Sequence, residues 1–367
     1  MKSHRSTDGF SRLQEGLTGE RTLIGAKYMD DPKMLRAYLD YYWPVSREQA
    51  RRALSVIAKL GGCRVASVID VGSGPGPVAA AFVEAGSTEV FLLDQSRAAL
   101  DLARSEIKSR CGKNGSTATV SALACDVTRP DPASIGLWGR ADCVSFGHSI
   151  NEFWSGKPDR VARRADLIVE YSKALAPGGT VLVIEPALLS TSRDLLATRD
   201  ELVERGWTVL APCAGRERLP CPALSAGEGQ TCHEDVAWEM PKGVADLSVS
   251  RNIDKEYLKM TWFLFAPPSG EINITATPDG ARDGARGTIY RVVSEAMLNK
   301  GGRLRRLVCG ASGRFPVSVA AESPDRERTG FDDLGRGDFI TVDKPEIREN
   351  GWGIGHATEI RKQGDAP

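Results

Sequence analysis

Apolar residues at helical spacing mark the start of the chain. Ala50, Ala53, Leu54, Ile57 and Leu60 recur at intervals of mostly three and four, which lays one apolar stripe along a helix. Ser46 and Gln49 read as a capping box in front of it, and Gly61-Gly62 stops the run. Tyr41, Tyr42, Trp43 and Pro44 precede the cap and read as a helix corner packed on the main domain. From residue 65 to 211 the pattern alternates. Short apolar runs at Val65–Val71, Glu89–Leu93, Ala118–Leu123, Ala141–Phe146 and Thr180–Ile184 predict strands. Pro77–Glu84, Arg97–Ser109 and Pro158–Leu175 predict the intervening helices, the last with apolar residues at 161, 165, 168 and 175 on one face. Ser192 reads as the cap of a helix carrying Leu195, Leu196, Leu202 and Val203, ended by Gly206, and Trp207–Leu210 as another strand. Such alternation predicts a parallel sheet covered by helices on both faces.

The pattern then breaks. Residues 212–258 are rich in Gly and Pro, and the stretch 211–234 has neither helical nor strand periodicity. An aromatic strand, Lys259–Ala266, comes next, and beyond Pro267-Pro268 the short β-like runs Thr288–Val293, Arg303–Val308, Phe315–Ala320 and Phe339–Val342 alternate with Gly and charge. The chain therefore divides into a helical lead-in (1–64), an α/β domain (65–267) with an insertion (212–258), a small β-rich module (268–345) and a loose tail (346–367). A length of 367 residues fits several such units. Lys plus Arg equals Asp plus Glu at 48 each, which excludes a globally basic nucleic-acid binder and leaves only local patches. No apolar run approaches the ~20 residues that span a bilayer. The first twenty residues have no apolar core of a secretory signal, and Asp8, Glu15 and Glu20 speak against a mitochondrial presequence. The expected compartment is the bacterial cytoplasm, with the mitochondrial matrix second. Thiols stay reduced there, so clustered cysteines point to metal or redox chemistry.

The chemistry begins at VIDVGSGPGPVAAAF (Val68–Phe82). A strand delivers Asp70 into a loop with Gly72, Gly74 and Gly76, and a helix starts at once. The second strand ends at Asp94, 24 positions later, where an acid can bind both hydroxyls of a ribose. The third is followed by Asp126, placed to reach an adenine amino group. Loop, context and acids together resemble the class I S-adenosylmethionine-dependent methyltransferases, and LAPGGTVLVIEP (Leu175–Pro186) resembles that family's entry into its fifth strand. The resemblance implies a Rossmann-like sheet of seven strands with the last antiparallel, and S-adenosylmethionine on Asp70, Gly72, Gly74, Gly76, Asp94 and Asp126. SFGHSINEFW (Ser145–Trp154) comes after the fourth strand, where ligands gather, and offers His148, Asn151 and Glu152 as catalytic candidates. A loop histidine that only satisfies backbone is the plainer reading of His148. The stretch is not the Asn-Pro-Pro-Tyr type that holds a base amino group. Cys143, inside an apolar strand, reads as a small core residue.

Cys213, Cys221 and Cys232 are separated by seven and ten residues. Zinc sites usually pair ligands as C-x₂₋₄-C. Wide, irregular spacing suits a cubane cluster reached from a wrapped loop, with Cys309, 77 positions on, as the fourth ligand. His233 is too close to Cys232 for both to hold a corner. Cys63, Cys111 and Cys125 read as structural. A methyltransferase-like sheet with this insertion, the AYLDYYWP lead-in and a late Cys-Gly-x-x-Gly-Arg is similar to the ribosomal small-subunit methyltransferase-like proteins of bacteria and mitochondria. The fragments APC (211–213), CPAL (221–224) and CH (232–233) carry the likeness, although Ala214-Gly215 stands where that family has Pro-His. The likeness implies a 4Fe–4S cluster on Cys213, Cys221, Cys232 and Cys309, and action on or with the small ribosomal subunit and its RNA. Lys300, Arg303, Arg305, Arg306 and Arg314, with no acid between 300 and 314, form a local basic run suited to phosphates. A charged, protected sheet edge is the other reading of that run. Three functions are compatible with these features: a methyltransferase of small-subunit RNA, a non-catalytic assembly factor on the same scaffold, and a small-molecule methyltransferase with a zinc-stapled insertion.

Overall fold

The computed structural model describes residues 3–17, 22–23, 28–59, 65–114, 117–215, 218–251, 253, 255–268 and 288–363, with side chains from residue 9 onward except those of 112–114. Cys63 lies outside the described residues. Three helices come first, α1 (Ser3–Leu17), α2 (Pro32–Asp40) and α3 (Tyr42–Lys59). The alternating region forms β1 (Ser67–Val71), α4 (Pro77–Glu84), β2 (Glu89–Asp94), α5 (Arg97–Asn114), β3 (Thr119–Ala124), β4 (Ala141–Gly147), α6 (Arg160–Ser172), β5 (Leu175–Pro186), α7 (Leu189–Glu204) and β6 (Thr208–Ala211). The insertion carries α8 (Pro222–Ser225), β7 (Glu234–Ala237) and α9 (Lys242–Ser250), and β8 (Tyr257–Ala266) completes the sheet.

The strand order is β3-β2-β1-β4-β5-β8-β6, parallel except for β8, which runs antiparallel to β5 and β6. This is the expected seven-stranded sheet with one reversed strand, extended by β7, which pairs with the first half of β8. Both faces of the sheet are buried, as in parallel sheets covered by helices on each side. Ile69, Val71, Val144, Phe146, Val181 and Val183 pack against Leu167 and Ile168 of α6 and Leu195 and Leu196 of α7. Val68, Cys143, Leu182 and Ile184 pack against Ala50, Ala53 and Ile57 of α3 and Val78 and Phe82 of α4. Cys143 is thus a core residue, as expected. Among the described residues no helix is long and apolar enough to cross a membrane.

Three local expectations change. Ser46 and Gln49 do not cap α3, which begins at Tyr42; both are buried within it, and Gln49 Nε2 donates to the Lys259 carbonyl of β8 at 3.0 Å. Ser192 lies inside α7, its hydroxyl 2.7 Å from that of Thr261 on β8. Gly178 and Gly179 fall within β5 and start the strand instead of only ending the helix before it.

The C-terminal residues form a second sheet of eight strands: β9 (Ile289–Val292), β10 (Met297–Leu298), β11 (Arg303–Gly310), β12 (Gly313–Ala320), β13 (Phe339–Asp343), β14 (Glu346–Arg348), β15 (Gly351–Gly353) and β16 (Glu359–Lys362), with a short helix α10 (Asp325–Arg328). Its order is β14-β15-β12-β11-β9-β13-β16, with β10 beside β11, around Tyr290, Val292, Val308, Val317, Val319, Phe331 and Ile340. The loose tail expected from residue 346 is therefore wrong through residue 362: β15 pairs with β12, β16 with β13, and the Trp352 ring lies 5.1 Å from Tyr290 and 4.7 Å from Phe315. Each tail strand has only three or four residues, too few for alternation to register in the sequence.

Candidate functional site

A cleft of about 330 Å³ opens at the carboxyl ends of β1, β2 and β4, where the sheet order switches direction. Gly72 and Gly74 form one wall, Asp94 and Ser96 the next, and Asp126 and Thr128 a third. Gly72 has a φ of 68°, and a Cβ there would come within 2.6 Å of the Ser149 Cβ, so only glycine lets the loop pass. We expect Gly72→Ala to cost about 1–3 kcal/mol in urea unfolding through backbone strain and that collision. Gly74 donates its N–H to Asp94 Oδ2 at 2.8 Å, and Ser96 N donates to Oδ1 at 2.8 Å, so one carboxylate ties the first loop to the second. Burial, with Asp30 nearby, raises the Asp94 pKa against these two bonds. Trp43 pins the glycine loop from the side, its Nε1 donating to the Pro75 carbonyl at 2.9 Å.

Asp70 and Gly76 lie behind the cleft and do not line it. Gly76 opens α4 and packs on Ala103, where a Cβ would come within 2.9 Å. Asp70 is buried. Ser145 Oγ donates to its Oδ1 at 2.8 Å, while Oδ2 makes no hydrogen bond. Burial pushes its pKa up to about 7, against the Ser145 hydroxyl and the Ala79 amide. Asp126 accepts from Thr128 N at 3.0 Å and from Thr128 Oγ1 at 2.7 Å, and stays largely exposed at the rim.

The far end of the cleft is lined by Tyr28, Tyr38, His148, Glu152, Phe153 and Trp154. His148 holds a left-handed backbone, φ 59°, and its N–H donates to the Ile184 carbonyl at 2.7 Å. Its Nε2 is buried without a hydrogen-bond partner, and burial, with Lys255 nearby, lowers its pKa to about 4. Tyr28 donates to Glu152 Oε1 at 3.4 Å. Asn151, the third sequence candidate, turns away from the cleft. Its backbone N–H donates to Glu185 Oε1 at 3.0 Å, its Nδ2 to Oε2 at 2.6 Å, and its carbonyl accepts from Arg164 at 2.8 Å. It braces the loop and is not placed to touch a ligand in the cleft. Tyr28, Met29, Ser96 and Thr128 also line the cleft without a motif in the sequence to mark them, because a residue that folds over a site from a distant segment leaves no local pattern. Glu185 does leave a signal: it is an acid inside the apolar run VLVIEP.

Three of the cysteines lie elsewhere, in the insertion beside the C-terminal sheet. Cys213 comes after β6, Cys221 caps α8, and Cys232 precedes β7; all three are half-buried against the same core. Cross-strand register sets Cys309 opposite Arg291 on β9 and Arg314 on β12. Both arginines reach into the insertion. Arg291 Nη1 lies 3.7 Å from Cys232 Sγ, and Arg314 Nη2 donates to Gln230 Oε1 at 3.3 Å. The fully buried Arg199 brings Nη2 to 4.0 Å from Cys213 Sγ. Burial raises the Cys213 and Cys221 pKa values, and each is pushed further by Cys232. Four cysteines outside any disulfide, beside buried guanidinium groups, fit an anionic, thiolate-held centre in donor chemistry. Among the described residues, however, no three His, Cys, Asp or Glu side chains converge as a metal-ligand set. His233 faces away, its Nε2 2.9 Å from Arg336 Nη1.

The basic run does not form one surface. On β11 side chains alternate, so Arg305 is exposed while Arg306 is buried, donating to the carbonyls of Phe331 at 3.3 Å and Asp332 at 3.2 Å. Arg306 is thus a structural residue and is withdrawn from the nucleic-acid set. Arg303 donates to the Ser318 carbonyl at 2.8 Å, and Arg314 is tied to Gln230. Lys300 and Arg305 remain exposed.

No family model matches the sequence. Among curated proteins nothing matches it. Solved structures do resemble it. The magnesium protoporphyrin IX methyltransferase of Synechocystis aligns over 72% of this chain and 99% of its own, at 11% identity and a TM-score of 0.37. The ribosomal protein L11 methylase of Lactobacillus delbrueckii subsp. bulgaricus aligns over 41% and 65%, at 17% identity and 0.27. A S-adenosylmethionine-dependent methyltransferase of Mesorhizobium loti aligns over 33% and 46%, at 20% identity and 0.24. The strand order itself decides the fold. It is that of the class I S-adenosylmethionine-dependent methyltransferases. A methyltransferase-like sheet, a cleft at its switch point and a β-rich module behind a cysteine-bearing insertion are the parts from which function has to be read.

Proposed function

We propose that the chain is an S-adenosylmethionine-dependent methyltransferase that acts on the RNA of the small ribosomal subunit during its assembly. The carrying observation is Asp94 in the wall of the cleft, its carboxylate accepting from Gly74 N and Ser96 N, beside a turn at Gly72 that only glycine can form. Asp94 would hold the ribose hydroxyls, Asp126 the adenine amino group, and the Gly72–Gly74 backbone the charged amino-acid end, with Asp70 bracing that loop from behind. When bound, S-adenosylmethionine supplies an electrophilic methyl group on a sulfonium. The chain's own residues position the acceptor, exclude water with Tyr28, Met29 and Trp154, and keep the loop 147–154 rigid through Glu185 and Arg164.

The ribosomal part of the reading rests on the sequence likeness and on Cys213, Cys221 and Cys232 in the insertion, with Cys309 paired across β11 to Arg291, which reaches Cys232. These four would hold a structural 4Fe–4S cluster that fastens the C-terminal sheet to the core, with the exposed Lys300 and Arg305 and the half-buried Arg303 and Arg314 available to phosphates. Calorimetry with S-adenosylhomocysteine tests the cofactor half. Asp94→Ala is expected to weaken binding by about 10- to 100-fold, the value of one or two hydrogen bonds to a charged group. Anaerobically purified protein should carry about four irons and four sulfides per chain, lost in Cys309→Ser. Zinc without sulfide would replace the cluster by a zinc-stapled insertion. Methyl transfer to small-subunit RNA that survives Asp94→Ala unchanged would remove the enzyme reading.

A further inference from the structure

We infer that one face of the C-terminal sheet, from β11 across β12 and β15 to β14, is a docking surface for single-stranded RNA, and that the groove beside Trp352 seats one of its unpaired bases. The inference deepens the function proposed above and rests on it for the choice of RNA as the partner. Charge is the first observation. Alternation along β11 and β12 sets Arg303, Arg305 and Arg314 on the face opposite the buried Arg306. The register of β12 with β15, and of β15 with β14, brings Arg348 to the same face. Glu346 is the one acid in these four strands, so four arginines stand against a single carboxylate. Among the described residues the guanidinium groups of Arg303 and Arg314 bond only neutral acceptors, Ser318 for the first and Gln230 for the second. Their charge is therefore left for an anion from outside the chain. Arg303 and Arg348 are near neighbours: burial first, and then the charge of Arg348, lowers the Arg303 pKa. Such a row of fixed cations suits a chain of phosphates.

The second observation is an aromatic groove at the end of the row. It is open, has a volume of about 450 Å³, and lies between Ser312 in the β11–β12 turn and Asn350 in the β14–β15 turn. Phe315 and Trp352 line it together with Arg314 and Arg348. The edge-to-face contacts of Trp352 with Phe315 and Tyr290 hold the indole rigid, so a stacking guest orders little that is not already ordered. Arg348 is pre-set in the same way. A Cβ on Gly353 would collide with its guanidinium, so glycine there lets the group lie close over β15, and Glu346 Oε2 accepts from its Nη2 at 2.7 Å. The Arg348 side chain remains 39% exposed. An indole and a guanidinium plane are the two surfaces on which unpaired bases stack. A duplex keeps its base faces to itself, and an acidic peptide would use the arginines and leave the groove empty.

Fluorescence anisotropy on the anaerobically purified full chain tests the surface, with a labelled short RNA that has no self-complementarity. At physiological salt the single strand should bind at least about fivefold tighter than the same strand annealed to its complement, the lower value of one stacked base. Arg348→Ala should reduce the slope of log affinity against log salt by about 0.7, the share of one phosphate contact on a single strand. Trp352→Phe keeps a ring in the aromatic cluster and should leave that slope unchanged. It should nevertheless remove most of the tryptophan quenching that RNA causes in a chain of seven tryptophans. Urea midpoints equal to the wild type certify the fold of both variants. Absence of RNA binding, equal affinity for strand and duplex, a slope unmoved by Arg348→Ala, or quenching unmoved by Trp352→Phe overturns the inference. So does displacement of the RNA by oligoglutamate as readily as by unlabelled RNA. Calorimetry with S-adenosylhomocysteine on the same preparation keeps the two readings apart. RNA binding of the expected kind without that heat supports the surface and counts against the cofactor reading, and heat without RNA binding overturns the surface alone.

Discussion

Replacing Glu234 by alanine is expected to lower the unfolding free energy by about 3–5 kcal/mol, the usual cost of leaving a buried charge without its partner. Glu234 is 1% exposed and joins three parts of the chain. Arg291 of the C-terminal sheet donates Nη2 to its Oε1 at 3.0 Å, Arg52 of α3 approaches Oε2 at 3.7 Å, and Gly337 packs against the same side chain. Arg291 is itself 5% exposed, so alanine at 234 strands a guanidinium that water reaches poorly. Urea unfolding would measure the loss. The double replacement Glu234→Leu with Arg291→Met should recover most of it, since a buried ion pair exchanged whole for apolar side chains is close to neutral. An unchanged midpoint in the single variant would mean that Arg291 is satisfied without Glu234 and would overturn the prediction.

The α/β half of the fold is legible in the sequence because its signals are long and redundant. Five apolar runs, their intervening helices and the Gly72–Gly76 loop each constrain the others, and the cleft residues Asp94 and Asp126 are placed by where parallel strands must end. Cap signals mislead where tertiary contacts override local ones. Ser46 and Ser192 look like helix starts, yet both helices begin earlier, and Gln49 and Ser192 direct their hydrogen-bonding groups to β8. The basic run misleads because charge counting ignores alternation: Arg305 and Arg306 are neighbours in sequence and point to opposite faces of β11. Asn151 has a polar side chain at the right strand end. Its amide is taken by Glu185, 34 positions away, a pairing that no local pattern announces. The cysteines are the converse case. Their spacing has no regularity, and what links Cys309 to the insertion is its register beside Arg291, whose guanidinium lies 3.7 Å from Cys232 Sγ.

Stability should fall as pH rises from about 6.5 to about 8, and Glu185→Gln should flatten much of that slope. Glu185 is completely buried, and burial raises its pKa to about 8, against the opposing pull of two bonds from Asn151 and the charge of Arg164. A carboxyl with a folded pKa above its unfolded value of about 4.3 stabilises the fold in its protonated form. That contribution is complete below the unfolded pKa and is lost as pH climbs through the folded one. At about 1.4 kcal/mol per unit, the loss for Glu185 alone amounts to several kcal/mol. Asp70, raised to about 7, adds to the slope in the same direction. His148 and His233 act oppositely and lower, since folded pKa values of about 4 remove stability only as pH drops below about 6.5. Urea midpoints between pH 6.5 and 8.5 therefore isolate the carboxyls. Glutamine keeps an acceptor for the Asn151 N–H, and a turned-over Asn151 amide can accept from the new Nε2, so the variant should match the wild type near pH 5 and exceed it at pH 8. Parallel curves across that window would mean that Glu185 is ionised throughout, held by Asn151 and Arg164 more strongly than burial opposes them.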